Sequence, residues 1–286
     1  MNNSVYLVDY SKNEVLVKVI FVILISHLFL ISCQSNNQAS EYINSGNEKA
    51  KMENFKGAIQ DYNKAIKINP LSYKAYHERG NANTEQGNFE EAIIDYSKAI
   101  ELNPRDTNSY FRRGLCMTMM QDNQRAIKDL DMVIKLDPKY VFVYGNRGNV
   151  KNSSGDYMGA IQDFNKAIDI NPSEASNYFG RGYSKSMLGD FRGSIQDYNI
   201  AIQLNQNDSQ SFFYRARSKI ELSNYRGAIQ DLSKCIEYNS KYAAAYFFRG
   251  ILKCELGDTN GGCIDLSKAG ELGFSEAYEY IPKYCY

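Results

Sequence analysis

YKAYHERGNANTEQGNFEEAIIDYSKAIELNPRD, residues 73–106, is the stretch whose reading decides the fold. Its Arg79-Gly80 pair returns as Arg113-Gly114, Arg147-Gly148, Arg181-Gly182 and Arg249-Gly250, with Arg215-Ala216 in the remaining place, always 34 residues apart. A fixed spacing of this length marks one supersecondary piece copied along the chain, each copy burying its apolar face against its neighbours. With Tyr73 as position 1, position 4 reads Tyr42, Tyr76, Tyr110, Tyr144, Tyr178, Phe212 and Tyr246, one helical turn before the small residue at position 8. A large ring followed by a small residue suits two closely crossing helices. Position 20 is Ala58, Ala92, Ala126, Ala160, Ser194, Ala228 and Gly262. Position 24 is Tyr62, Tyr96, Leu130, Phe164, Tyr198, Leu232 and Leu266, and position 27 is small or apolar throughout. Spacings of three, four and seven place these columns on one face of a second helix.

Punctuation separates the two helices. Gly87-Asn88, Gly155-Asp156, Gly189-Asp190 and Gly257-Asp258 stop the first helix and cap the second. Asn69-Pro70, Asn103-Pro104, Asp137-Pro138 and Asn171-Pro172 then end the second, because the residue before proline is pushed out of the helical region. In the copy that starts at Tyr73, helices are expected over Tyr73–Gln86 and Phe89–Leu102.

This pattern resembles the tetratricopeptide repeat (TPR), over about seven copies spanning residues 39–273. The resemblance implies an all-α, right-handed TPR solenoid, with the first helix of each repeat (helix A) lining a concave groove. Residues 274–286 are expected to form a helix that caps the open apolar face of the last repeat. Position 4 carries Tyr where the family often has Trp, and position 7 carries Arg where it often has Leu.

The arginines at position 7, Arg79, Arg113, Arg147, Arg181, Arg215 and Arg249, find a periodic counterpart at position 23: Asp61, Asp95, Asp129, Asp163, Asp197, Asp231 and Asp265. A structural ion pair is expected, either within a repeat (Arg79 with Asp95) or with the preceding one (Arg79 with Asp61). The second register is preferred, because it turns Asp231 and Cys235 toward helix A of the seventh repeat.

Residues 19–31 form the one long apolar run, interrupted by Ser26 and His27. That is short of the ~18–20 residues needed to span a bilayer, and suits the core of a signal peptide over residues 1–32. Leu30-Ile31-Ser32-Cys33 resembles the bacterial lipobox, which implies lipidation of Cys33 and cleavage just before it. Residues 33–38 are then the lipidated cysteine and a polar tether. Asp9 and Glu14 dilute the positive charge expected at the front of a signal, and initiation within Val15–Val17 would restore it. The expected location is the bacterial cell envelope, anchored to membrane, with the periplasmic face of the outer membrane favoured.

Lys plus Arg equal Asp plus Glu, 33 each, so no positive field draws nucleic acid. Beyond the signal region His77 is the single histidine, which leaves little for a metal site or a nucleophile–base machine. No enzyme activity, metal or cofactor is expected. Export permits oxidation of the cysteines, and a disulfide is expected between Cys263 and Cys285, because position 21 points at the terminal helix. Cys254 with Cys263 is the rival pairing.

The TPR resemblance carries a binding groove on positions 2, 5, 9, 12 and 13. It falls on Lys74, His77 and Asn81, on Phe111 and Leu115, on Asn149, and then on Phe179, Tyr183, Phe213, Arg217, Phe247 and Ile251. This groove is polar at its N-terminal end and aromatic later, although position 5 can equally pack against the neighbouring helix A. The expected function is a lipid-anchored scaffold that binds another protein or peptide. The alternatives are an envelope component binding glycan or peptide ligands for an uptake or enzyme system, and a soluble cytosolic adaptor.

Overall fold

The computed structural model describes residues 10–285; in the first helix, side chains are described at residues 18–24, at 34 and from 36 onward. Among the described residues there are fifteen α-helices and no strand. Two compact bodies result, one through Met120 and one from Gln121. The first holds α1 (Tyr10–Lys51), α2 (Phe55–Ile68), α3 (Tyr73–Glu85), α4 (Phe89–Leu102) and α5 (Thr107–Met119). The second begins with α6 (Asn123–Leu136), α7 (Val143–Ser153), α8 (Tyr157–Ile170), α9 (Ala175–Met187) and α10 (Phe191–Leu204). It continues with α11 (Ser209–Glu221), α12 (Tyr225–Tyr238), α13 (Ala243–Glu255), α14 (Thr259–Glu271) and α15 (Ala277–Cys285).

The punctuation acts as its chemistry dictates. Gly87, Gly155, Gly189 and Gly257 adopt positive φ at the helix A terminus, and Glu53, Gln121 and Ser223 take the same conformation in repeats that lack the glycine. The side chains of Asn54, Asp122, Asp156, Asp190, Asn224 and Asp258 then accept a backbone N–H three residues on. Asn88 makes no such bond. Inside each repeat the position-20 residue and the position-24 side chain are at most 1 % exposed at Ala58, Tyr62, Ala92 and Tyr96. The position-8 glycine is demanded by close approach: a Cβ on Gly80 would stand 2.8 Å from Tyr96 Cε1.

The charge ladder takes the within-repeat register, against the preference for the preceding repeat. Nε of Arg79, Arg147, Arg181, Arg215 and Arg249 donates to Asp95, Asp163, Asp197, Asp231 and Asp265, at 2.8–3.0 Å to Oδ2. The preceding repeat supplies position 25 instead. Nη1 of Arg79, Arg113, Arg147, Arg181, Arg215 and Arg249 reaches Asn63, Ser97, Asp131, Asn165, Asn199 and Ser233. The planar fork explains both contacts, since Nε and Nη2 grip one carboxylate while Nη1 points away from it. Asp129, whose side chain is buried, belongs to the same column. Position 11 supplies a second cation that the repeat pattern does not announce: Lys151, Lys185, Lys219 and Lys253 meet Asp163, Asp197, Asp231 and Asp265 at 2.7–2.8 Å. Each guanidinium also lies 5.3–5.8 Å from the ring at position 4, the contact that rewards Tyr or Phe there.

At the C-terminus α15 packs on α14, and Cys263 and Cys285 are joined in a disulfide with their Cα atoms 5.8 Å apart. Cys254 is a free thiol, so the rival pairing is not formed. At the other end, residues 34–38 are helical within α1 and are not a flexible tether. The side chain of Asn69 donates to Asn36 Oδ1 at 2.7 Å, Ser40 Oγ donates to the Asn36 carbonyl, and Ala39 is buried, so packing carries helix A of the first repeat backward. The side chain of Cys33 and residues 1–9 of the expected signal lie outside the described residues. Among the described residues no helix is long and apolar enough to cross a membrane.

Candidate functional site

The richest concave surface lies in the second body, on the helix A faces of α7, α9 and α11. Three cavities adjoin there. The middle one, about 320 Å³, is lined by Asn149, Asn152, Phe179, Tyr183, Gln210 and Tyr214. It shares Asn149 with a polar cavity of about 230 Å³ at α7 and α9, and shares Tyr183 and Tyr214 with one of about 440 Å³. The last is completed by Met187, Phe191, Arg217 and Glu221, with Ser186 and Ser218. The groove therefore runs from amides to aromatic rings to a pair of opposite charges. A further cavity of about 550 Å³ surrounds the Cys263–Cys285 disulfide on α14 and α15, apart from this face.

Tyr214 organises the aromatic centre. Its ring meets Phe179 edge-on at 5.5 Å and Tyr183 at 5.6 Å, and Tyr183 in turn meets Tyr157 at 6.4 Å. Such pairs fix ring orientation beyond what area burial does. Burial, with Tyr157 and Tyr214 adding, pushes the Tyr183 hydroxyl above its ordinary range and keeps it protonated as a donor. Below the floor the position-24 hydroxyls differ between repeats. In the first two repeats the position-24 hydroxyl donates to the position-9 asparagine, Tyr62 to Asn47 and Tyr96 to Asn81, both at 2.8 Å. In the fifth repeat position 9 is Tyr183, so the buried Tyr198 hydroxyl loses that acceptor, and among the described residues it makes no well-formed hydrogen bond, with the Ser186 side chain the polar group close to it.

The residues singled out from sequence divide into four groups. Asn149 and Arg217 are exposed in the groove, and Phe179 and Tyr183 are half-buried along it. Phe111, Phe213 and Phe247 are at most 8 % exposed and belong to the packing, so position 5 divides between groove and core. Phe213 lies 4.8 Å from Tyr242 and Phe247 lies 4.6 Å from Phe274. His77 and Asn81 are engaged structurally: His77 Nδ1 meets Ser109 Oγ at 2.8 Å, while Asn81 accepts from Tyr96 and donates to Glu78. Lys74 is exposed, and Leu115 and Ile251 are half-buried. Tyr214, Met187, Phe191, Glu221 and Asn152 also line the groove, beyond the residues singled out from sequence. Tyr214 occupies position 6, a column that is polar or glycine in the first five repeats, which is why the pattern hid it.

Comparison with known proteins agrees with this architecture. Profiles described as "Tetratricopeptide repeat" match residues 73–106, 108–140 and 141–174, and one described as "TPR repeat" matches residues 46–87. The chain carries tetratricopeptide repeats. Among solved structures, a tetratricopeptide repeat protein from Parabacteroides merdae superposes with a TM-score of 0.66 at 21 % identity, over 86 % of this chain and 98 % of the other. YrrB, described as a TPR protein with an unusual peptide-binding site, gives 0.56 at 17 % identity over 64 % and 95 %. The APC/C hetero-tetramer Cut9–Hcn1 gives 0.64 at 12 % identity over 90 % and 55 %. At these identities the likeness is one of fold. No curated protein matches the chain.

Proposed function

We propose that the groove on α7, α9 and α11 binds an extended segment of another protein, and that the chain works as a lipid-anchored scaffold of a bacterial envelope. The observation that carries the binding half is the run of three adjoining cavities on one TPR face, with a ring cluster at its centre. Rings exposed along a groove mark partner sites, because they present large apolar area at low entropic cost. YrrB is described as having a peptide-binding site and Cut9–Hcn1 is an assembly, which supports protein as the ligand class. The anchoring half rests on Leu30-Ile31-Ser32-Cys33 following an apolar run whose residues 19–24 are exposed.

The binding half is tested by capture from detergent-solubilised envelope, comparing the unaltered chain with Tyr214→Ala. Loss of at least about tenfold of the captured partner is expected, equivalent to one well-placed aromatic contact. Equal capture by a variant that melts like the parent would overturn the reading.

A further inference from the structure

Position 3 of a repeat faces position 5 of the repeat before it, as Ser109 does His77. That column holds small buried residues at Ala75, Ser109, Ser211 and Ala245, each 0 % exposed. Where it carries a hydroxyl, the acidic residue just ahead of the helix accepts from it: Asp106 from Ser109 and Asp208 from Ser211. The fifth repeat breaks this arrangement on three counts. Position 3 is Asn177, the facing position 5 is Gly145, and the residue ahead of the helix is Glu174. A Cβ on Gly145 would stand 2.5 Å from Asn177 Oδ1, so the missing side chain is what admits the amide. Glu174 accepts from Ser176 Oγ at 2.8 Å and leaves Asn177 alone. Asn177 is 6 % exposed, and its side-chain amide, without a hydrogen bond among the described residues, opens into the 230 Å³ cavity beside Asn146 and Asn149.

The geometry points to a receptor for a neutral primary carboxamide, the side chain of a glutamine or asparagine in the segment that the groove binds. The inference rests on the groove reading above and names what its polar end recognises. The Asn177 donor and acceptor both open into the cavity, where water can meet them, so a ligand that displaces that water must supply an acceptor and a donor together. A primary carboxamide does so through one C=O and the N–H on the same side, which gives two parallel hydrogen bonds to Asn177. A carboxylate cannot donate to Asn177 Oδ1 and would meet the charge of Glu174. An ammonium cannot accept from Asn177 Nδ2. A main-chain peptide unit is an amide too, but its N–H and C=O point in opposite directions, so one unit satisfies only half of Asn177.

The test uses the full chain, labelled with ¹⁵N at asparagine, and follows the Asn177 side-chain resonance, assigned by its loss in Asn177→Asp. The probes are propionamide, propionate, propylammonium and N-methylacetamide, the last standing for the main chain. Propionamide is expected to shift the resonance saturably, with a Kd of about 1–100 mM for so small a fragment. The other three are expected to bind at least about tenfold more weakly. Gly145→Ala, which drives a methyl against Asn177 Oδ1, should abolish the shift, and Asn177→Asp should lose propionamide protection of the folded chain in thermal melts. Should Gly145→Ala fail to fold, Asn177→Asp alone decides. No saturable shift, equal binding of any other probe, or propionamide binding retained in the folded variants would overturn the assignment. The fragments need no partner, so loss of capture in Tyr214→Ala with no propionamide binding would sink the pocket and spare the groove, and the reverse pair of results would do the opposite.

Discussion

Asp61 is where pH enters the ladder. The first repeat has Ser45 at position 7 instead of arginine, and Asp61 is held by Lys49, Ser45 and Lys64. Burial raises its pKa, but the hydrogen bonds from Lys49, Ser45 and Lys64 outweigh burial and bring it from 3.8 down to about 2. A folded-state pKa below the unfolded one contributes stability that is present above 3.8 and lost as pH falls toward 2. Asp61→Asn should therefore melt below the parent at pH 7, and the gap should close across that acid window; a gap independent of pH would contradict the assignment. At Gly182 sterics oppose propensity. Alanine is worth ~1 kcal/mol more than glycine in a helix, yet a Cβ there would stand 3.0 Å from Tyr198 Cε1 and 3.2 Å from the Ser194 carbonyl. Gly182→Ala is expected to destabilise by ~1–3 kcal/mol through overpacking. The sixth repeat already holds the compatible pair Ala216 and Leu232, so adding Tyr198→Leu should recover most of that loss, and a double-mutant cycle in thermal melts measures the coupling.

The last helix is the element most dependent on covalent help, because among the described residues α15 packs on α14 and only lightly on α13. The Cys263–Cys285 bond closes a separation of 22 residues, worth ~3 kcal/mol in the chain-entropy model. Tyr284 also donates to Glu255 on α13, and that bond is the chief reason its hydroxyl is pushed up to about 12. Mild reduction should raise amide exchange across 277–285 by at least an order of magnitude while α13 stays protected; unchanged exchange would show that packing alone holds the helix. Helix limits were legible in the sequence because each has a local chemical cause in Gly, Asn, Asp or Pro. The ladder's register was not, since Arg79 lies at comparable sequence distance from Asp61 and Asp95 and only the direction of the guanidinium fork separates them. Nor was the groove fully legible. Position 5 holds phenylalanine both where it is buried, as Phe213, and where it lines a cavity, as Phe179, while the ring that joins the cavities stands one place further on.

For the whole molecule, the proposed anchor predicts a change of compartment with no change of fold. Cys33→Ala should abolish fatty-acid incorporation and leave a chain of unaltered helicity either with its signal attached or released to the soluble fraction, since stable anchoring takes two acyl chains. Labelling that persists in the variant would exclude Cys33 as the lipid site. The arginine fork has a further consequence. Its grip is directional: every fork described closes on its own repeat or on residue 25 of the repeat before it, as with Arg181 on Asp197 and Asn165. During synthesis the ribosome releases the N-terminal side first, so each new arginine emerges with its upstream acceptor already made. A nascent chain paused after any complete repeat in either body thus leaves no guanidinium waiting for an acceptor that has yet to be translated, and growth proceeds like a ratchet, one latched copy at a time.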